Sequence, residues 1–211
     1  SRAVPRNSSI LCHSRQDLES PSDFQRAVGG PQHSRDGLFR PEVEIGRAQY
    51  VAKAKSILEA LCLYGVTDLV GLPDNSSAAL FALLKSSKDP VVRMVTREGE
   101  AFAMAAGLWV GGRTPAVLVQ NTGFLESGDS FRGTVMRMRI PLLCLITYRG
   151  YSKMLKVSTK ATQEYGSQLL SRPDLDSAAL ITIRTLQAWG LPFDYLHTDD
   201  DVYKIASSIQ E

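Results

Sequence analysis

The sequence predicts an α/β protein with a three-layer, doubly wound parallel sheet, and three observations predict it. Runs that are apolar at nearly every position, such as Ala116-Val117-Leu118-Val119 and Pro141-Leu142-Leu143-Cys144-Leu145-Ile146, suit strands buried on both faces. Segments with helical apolar spacing separate these runs, which is the pattern of crossover connections in a parallel sheet. Each run also ends in a polar loop, and right-handed crossovers bring such loops to one rim of the sheet.

Residues 1–45 differ in kind from the rest: they are rich in Ser, Arg, Pro and Gly, contain no Lys, and show no sustained apolar period. They read as a mobile N-terminal extension. Asp17, Glu19, Asp23 and Asp36 interrupt the basic residues, which disfavours a targeting peptide. The domain is expected over residues 46–211. Ala48 to Tyr64 has an apolar face of Tyr50, Ala54, Ile57, Leu58, Leu61 and Cys62, and Gly65 suits the left-handed residue after a helix. Leu69 to Leu72 is a short strand stopped by Pro73. Ser76 or Ser77 is placed to cap the next helix, through Leu84. Val91 to Val95 reads as a buried strand. Ala101 to Val110 is apolar almost all round and therefore reads as a fully buried helix, with Met104 and Trp109 in the core. The strand Ala116 to Gln120 leads into an expected polar loop, Asn121 to Asp129, and then a helix to Met138. After the strand at 141–147 come a loop from Tyr148 to Thr159, a helix from Leu175 to Trp189, the strand Phe193 to Leu196 and a last helix over 199–209.

Composition narrows the function. The 211 residues carry a formal net charge of +2 with both signs interspersed, and no Lys/Arg stripe with interleaved aromatics argues for nucleic acid. No apolar run is long enough to span a membrane. Three separated cysteines suggest a reducing, cytoplasmic setting, with Cys62 and Cys144 as small core residues. No Cys/His spacing predicts a metal site, and His13, His33 and His197 are isolated.

The candidate site follows from the topology. Leu72-Pro73-Asp74-Asn75, Thr96-Arg97-Glu98, Gln120-Asn121-Thr122-Gly123 and Tyr148-Arg149-Gly150 all fall at the C-terminal rim of the sheet, where open α/β sheets bind ligands. Glu98 and Glu100 either satisfy orphan N–H groups in a first helical turn or serve a ligand. Asp74 is either a turn and cap residue or a substrate contact. Gln120 either satisfies backbone at the strand end or faces substrate. Gly123 lets backbone approach a ligand. Arg149 suits an anionic group, its fork matching sulfonate, phosphonate or carboxylate, or else forms a surface salt bridge. Phe124 and Leu125, in a rim loop, would call for cover from another chain.

These segments together resemble the pyrimidine-binding domain of thiamine diphosphate enzymes, in the decarboxylase branch acting on sulfopyruvate and phosphonopyruvate. The resemblance rests on Gly71-Leu72-Pro73-Asp74, Arg97-Glu98-Gly99-Glu100-Ala101 with Ala105-Ala106-Gly107, Gln120-Asn121-Thr122-Gly123, Ile140-Pro141-Leu142-Leu143, Tyr148-Arg149-Gly150 and Leu186-Gln187-Ala188-Trp189-Gly190-Leu191-Pro192. It covers about residues 47–211.

The resemblance implies that Glu98, rather than Glu100, hydrogen-bonds the pyrimidine N1′ of thiamine diphosphate and promotes the proton transfer that activates the cofactor carbon. It implies cofactor contacts from Asn121, Thr122 and Gly123, and substrate contacts from Pro73, Asp74, Gln120 and Arg149. The family binds Mg2+ and the diphosphate through Gly-Asp-Gly and a downstream Asn. Gly128-Asp129-Ser130 lacks the second Gly, and no Asn follows Asn121. That half is therefore expected on a separate, beta-type subunit that binds the diphosphate and Mg2+. This chain would be the alpha-type subunit, acting on a small 2-oxo acid with a second anionic group. The alternative is a non-catalytic α/β binding or assembly module that keeps the fold.

Overall fold

A computed structural model describes residues 9–13, 52–154 and 166–210. Six strands form one sheet: β1 (Ser9–His13), β2 (Asp68–Gly71), β3 (Val91–Met94), β4 (Pro115–Gln120), β5 (Leu143–Thr147) and β6 (Phe193–Leu196), in the order β3-β2-β4-β5-β1-β6. β2 pairs in parallel with β3 and β4, and β4 in parallel with β5. The helices are α1 (Ala54–Leu63), α2 (Ala78–Ser86), α3 (Glu98–Val110), α4 (Asn121–Glu126), α5 (Ser177–Ala188) and α6 (Tyr203–Gln210), with shorter helical turns between them. No helix among the described residues is long and apolar enough to cross a membrane.

The sheet carries a core on each face, and the pleat decides which residue joins which. Val70, Val117, Val119, Cys144 and Ile146 face α3, α4 and α5. Leu69, Ala116, Leu118, Leu143 and Leu145 face α1, α2 and α6. This alternation is why the strands read as apolar throughout. Gly71 belongs to the same logic, because a Cβ there would collide with the backbone carbonyl of Leu118 on β4.

The helix ends are equally explicable. After α1, the N–H of Gly65 bonds Cys62 O (3.1 Å) and that of Val66 bonds Leu61 O (2.9 Å), with Gly65 at φ +75°. This is a Schellman ending, with Leu61 and Val66 both buried. Gly112 after α3 and Gly190 after α5 repeat it, at φ 79° and 67°.

Several expectations give way. Ser9–His13, within the segment expected to be mobile, form β1, antiparallel to both β5 (Ser9 opposite Thr147) and β6 (Ser9 opposite Leu196). The sheet is therefore not wholly parallel. Ile10-Leu11-Cys12 is too short to show a period, and its backbone gains ladder partners on two sides. The rest of residues 1–45, the boundary at 46 and residues 155–159 of the loop expected from Tyr148 to Thr159 lie outside the described residues, while Tyr151–Met154 of that loop form a helical turn.

β3 is an edge strand, with Val91 37 % and Met94 51 % exposed, rather than a buried one. α3 buries Ala101, Phe102, Ala105 and Ala106, but Met104 (40 %) and Val110 (65 %) are exposed and Trp109 is half-buried. A helix packed on one side of a sheet has only one face covered, whatever its composition. Cys62 is exposed and Cys144 buried, since the face of α1 that packs is Ile57, Ala60 and Leu61.

The expected loop after β4 is instead helical from Asn121, running through Gly128–Ser130 into a π-helical turn, Phe131–Met136. Phe124 drives it: fully buried, its ring lies 6.2 Å from Phe102, 5.5 Å from Phe131 and 5.7 Å from Trp189. Its apolar side chain serves this chain's own core, not a surface awaiting cover.

Candidate functional site

Strand order reverses between β2 and β4, the place where loops on opposite faces part and leave a crevice. Pro73–Asp74 leaves β2 toward α2. Gln120–Gly123 leaves β4 toward the opposite face, where α3 also begins.

The two carboxylates of α3 divide the roles open to them. Glu100, at the third helical position, accepts the N–H of Thr96 (3.0 Å), the hydroxyl of Thr96 (2.9 Å) and the N–H of Arg97 (3.3 Å). It is a cap, as in the reciprocal end of a capping box. The Thr96 N–H and hydroxyl hold its carboxyl below the usual value. Glu98 takes the other role. It is partly buried and has no hydrogen bond or ion pair to another described side chain. Its carboxylate rests on Gly123, where an added Cβ would overlap it. Two segments separated by a strand thus bring an uncommitted carboxylate against bare backbone.

The other predicted residues are more occupied. Asp74 accepts from the Ser77 N–H (3.2 Å), the Ser77 hydroxyl (3.0 Å), the Thr147 hydroxyl (2.8 Å) and the Ser76 N–H. These four donors fill a carboxylate's acceptor capacity. Asp74, not Ser76 or Ser77, supplies the capping side chain of α2, and it ties the rim of β2 to that of β5. Pro73 beside it is exposed. Asn121 is fully buried; its amide donates to Arg149 O (3.1 Å) and Thr182 Oγ1 (3.3 Å), and its oxygen accepts the Thr122 N–H (3.1 Å). It anchors the rim. Gln120 and Thr122 sit half-exposed and bond each other (2.9 Å). Arg149, with 61 % of its side chain exposed, pairs with Asp176 at 3.3 Å.

The structure therefore joins Glu98 and Gly123 directly and bonds Thr122 to Gln120 in the segment just before Gly123. It commits Asp74, Asn121 and Arg149 to bonds within the chain. Sequence reasoning put Arg97 on the rim but missed its pairing, and missed Glu126 and Ser130. Arg97 ion-pairs with Glu126, and Ser130 Oγ donates to Gly99 O (2.7 Å). No local signal marks pairings so distant in sequence.

A separate cavity of about 460 Å³ lies on the α1/α2 face, floored by Leu118, Leu145 and Leu196 and edged by Lys53, Ser76 and Thr147. Among the described residues no cluster of His, Cys, Asp and Glu could hold a metal ion.

Comparison with known proteins shows what the chain as a whole is similar to. No protein-family model matches the chain. It is 25 % identical over 158 residues to the sulfopyruvate decarboxylase subunit alpha of Methanococcus maripaludis, covering 75 % of this chain and 85 % of that protein. It is 30 % identical over 95 residues to the subunit alpha of Methanocaldococcus jannaschii, covering 45 % of this chain and 56 % of that one. It is also 33 % identical over 97 residues to the phosphonopyruvate decarboxylase of Streptomyces hygroscopicus, covering 46 % of this chain. The match spans 24 % of that longer protein. The relatives are decarboxylases by name.

Proposed function

We propose that this chain is the alpha-type subunit of a thiamine diphosphate-dependent decarboxylase acting on a 2-oxo acid of the sulfopyruvate or phosphonopyruvate type. The observation that carries the reading is the uncommitted Glu98 carboxylate resting on Gly123. The names of the relatives support a decarboxylase of this kind, and "subunit alpha" in three of them supports a partner subunit.

The residues present fit the pyrimidine half of the cofactor. A partly buried carboxylate with no hydrogen bond or ion pair to another described side chain suits a ring nitrogen as hydrogen-bond partner, and the bare backbone of Gly123 gives that carboxylate its room. When bound, thiamine diphosphate supplies the electron sink for loss of carbon dioxide. Glu98 would hydrogen-bond a nitrogen of the pyrimidine ring. Asn121 ties the β4 rim to the Arg149 backbone, and Thr122 and Gln120 bond each other beside Gly123. Arg149, whose side chain is 61 % exposed, would meet the substrate's second anionic group by turning from Asp176.

The diphosphate and Mg2+ are assigned to the beta-type partner. The exposed apolar side of α3, the helix that Glu98 opens, supports an assembly built beside the site. A second reading, a non-catalytic α/β binding module, draws on the engagement of Asp74, Asn121 and Arg149 within the chain. Calorimetry with thiamine diphosphate and Mg2+ separates the two. The decarboxylase reading expects weak binding by this chain alone and tight binding with the partner present. Equal, negligible binding in both cases selects the module.

A further inference from the structure

Glu98 makes no bond that holds it in place, yet both its chain neighbours are tied to the segment that carries Gly123. On one side, the Arg97 guanidinium ion-pairs with Glu126 at the end of α4. On the other, the Gly99 carbonyl accepts the Ser130 hydroxyl at 2.7 Å. The turn that opens α3 is thus pinned across the crevice at two points, with Glu98 and Gly123 facing each other between them.

The two ties differ in kind. Ser130 is partly buried and lies in the helical run packed on α3. Arg97 and Glu126 are exposed, with 71 % and 43 % of their side chains open to solvent. An exposed ion pair contributes little to the stability of a fold. What this one does is fix a distance: it joins the residue before Glu98 to a residue one helical turn beyond Gly123.

We infer that Arg97 and Glu126 are positioning residues for Glu98, holding its carboxylate on Gly123. The inference rests on the reading of Glu98 given above. Arg97 does not touch the reacting atoms. It acts through the turn it belongs to, because its guanidinium is committed to Glu126 and its N–H to Glu100. Loss of the pair leaves Glu98 free to swing off the glycine while the fold is kept.

The test uses the full chain with its glutamates 13C-labelled at the side-chain carboxyl, the Glu98 resonance being assigned by its loss in Glu98→Gln. Glu126→Gln is expected to move that resonance with the thermal midpoint unchanged, and Arg97→Gln, which breaks the pair from the other side, to move it likewise. Glu126→Asp keeps the charge and should restore most of the wild-type position. Asp129→Asn, which removes the neighbouring exposed pair with Arg132, should leave the resonance where it is. In the enzyme assembled with its partner, Glu126→Gln should lower kcat about 10- to 100-fold with KM little changed, as for a misplaced catalytic group. An unmoved Glu98 resonance in both pair-breaking variants overturns the inference. If the wild-type assembly releases no carbon dioxide, the decarboxylase reading falls, while the resonance still decides whether the pair positions Glu98.

Discussion

The carboxylate of Glu98 lies on the backbone of Gly123, so closely that no side chain at 123 fits beside it as it stands. The glycine is therefore demanded by its neighbour rather than by its own backbone angles. The atoms that a Cβ would meet are at the flexible end of Glu98, so a larger residue displaces the carboxylate rather than the fold.

Gly123→Ala is accordingly expected to leave the thermal midpoint within a few degrees of wild type and to push Glu98 aside. A misplacement of about 1 Å costs on the order of 100-fold in rate. A crystal structure of the variant, with decarboxylation measured in the partner-assembled enzyme, checks both halves.

The two glutamates of α3 should separate cleanly. Glu98→Gln is expected to cut turnover by about 10²–10⁴-fold, the usual contribution of a proton-transfer group, with stability unchanged. Glu100→Gln should keep turnover near wild type and instead weaken the fold. Its carboxyl is held down by Thr96, so its charged form adds stability above the unfolded-state value of 4.5, lost as pH falls through the lower folded value. Comparing turnover and acid unfolding for the two variants tests the assignment. If Glu100 were essential and Glu98 dispensable, the roles would be reversed.

Asp68 is the structural charge of the molecule. Fully buried, it accepts Nε–H from Arg93 at 2.9 Å and Arg113 at 2.8 Å, and the Thr67 hydroxyl at 2.8 Å, locking the edge strand and the entrance to β4 onto β2. Burial works to raise its carboxyl, and the bonds from Arg113, Thr67 and Arg93 outweigh that and hold it below the usual range. Asp68→Asn should destabilise the chain by about 1.5–3 kcal/mol, the range for a hydrogen bond to a charged group. Arg93→Met should cost less, because Arg113 remains. Urea unfolding of the two variants measures the difference.

His197 gives a pH dependence. It is half-buried and stacked on Tyr195 at 5.2 Å and 10°. Burial lowers its pKa from 6.5, against the pull of Asp201. A folded value below the unfolded one means that the neutral ring is favoured. Its stabilisation is present above pH 6.5 and is lost as pH falls through the folded value. Thermal midpoints should therefore drop as pH falls below 6.5 in the wild type and stay flatter in His197→Phe, which keeps a stacking ring.

The sheet was legible because its chemistry is local. Strands such as Val117–Val119 must be apolar on both faces, and Gly65 marks a helix end by the left-handed conformation it adopts. The helical start at Asn121 was not legible, because polar residues conceal a helix whose reason is the distant contact of Phe124 with Phe102 and Trp189. Burial of α3 was over-read, since composition cannot say which face of an apolar helix a neighbour covers. β1 escaped notice because three apolar residues carry no period. At the site, the pattern marked Glu98, Glu100 and Gly123 and the resemblance chose between the two glutamates, but neither showed the bonds that occupy Asp74 and Asn121. Those bonds depend on Thr147 and Thr182, remote in sequence.

The most direct measurement is carbon dioxide release from sulfopyruvate and phosphonopyruvate by the chain purified with its native partner, with thiamine diphosphate and Mg2+ added or withheld. The account predicts release from at least one of the two acids that needs the partner and the cofactor and is nearly abolished by Glu98→Gln. Release that survives Glu98→Gln undiminished, or no release from the assembled protein, would contradict it.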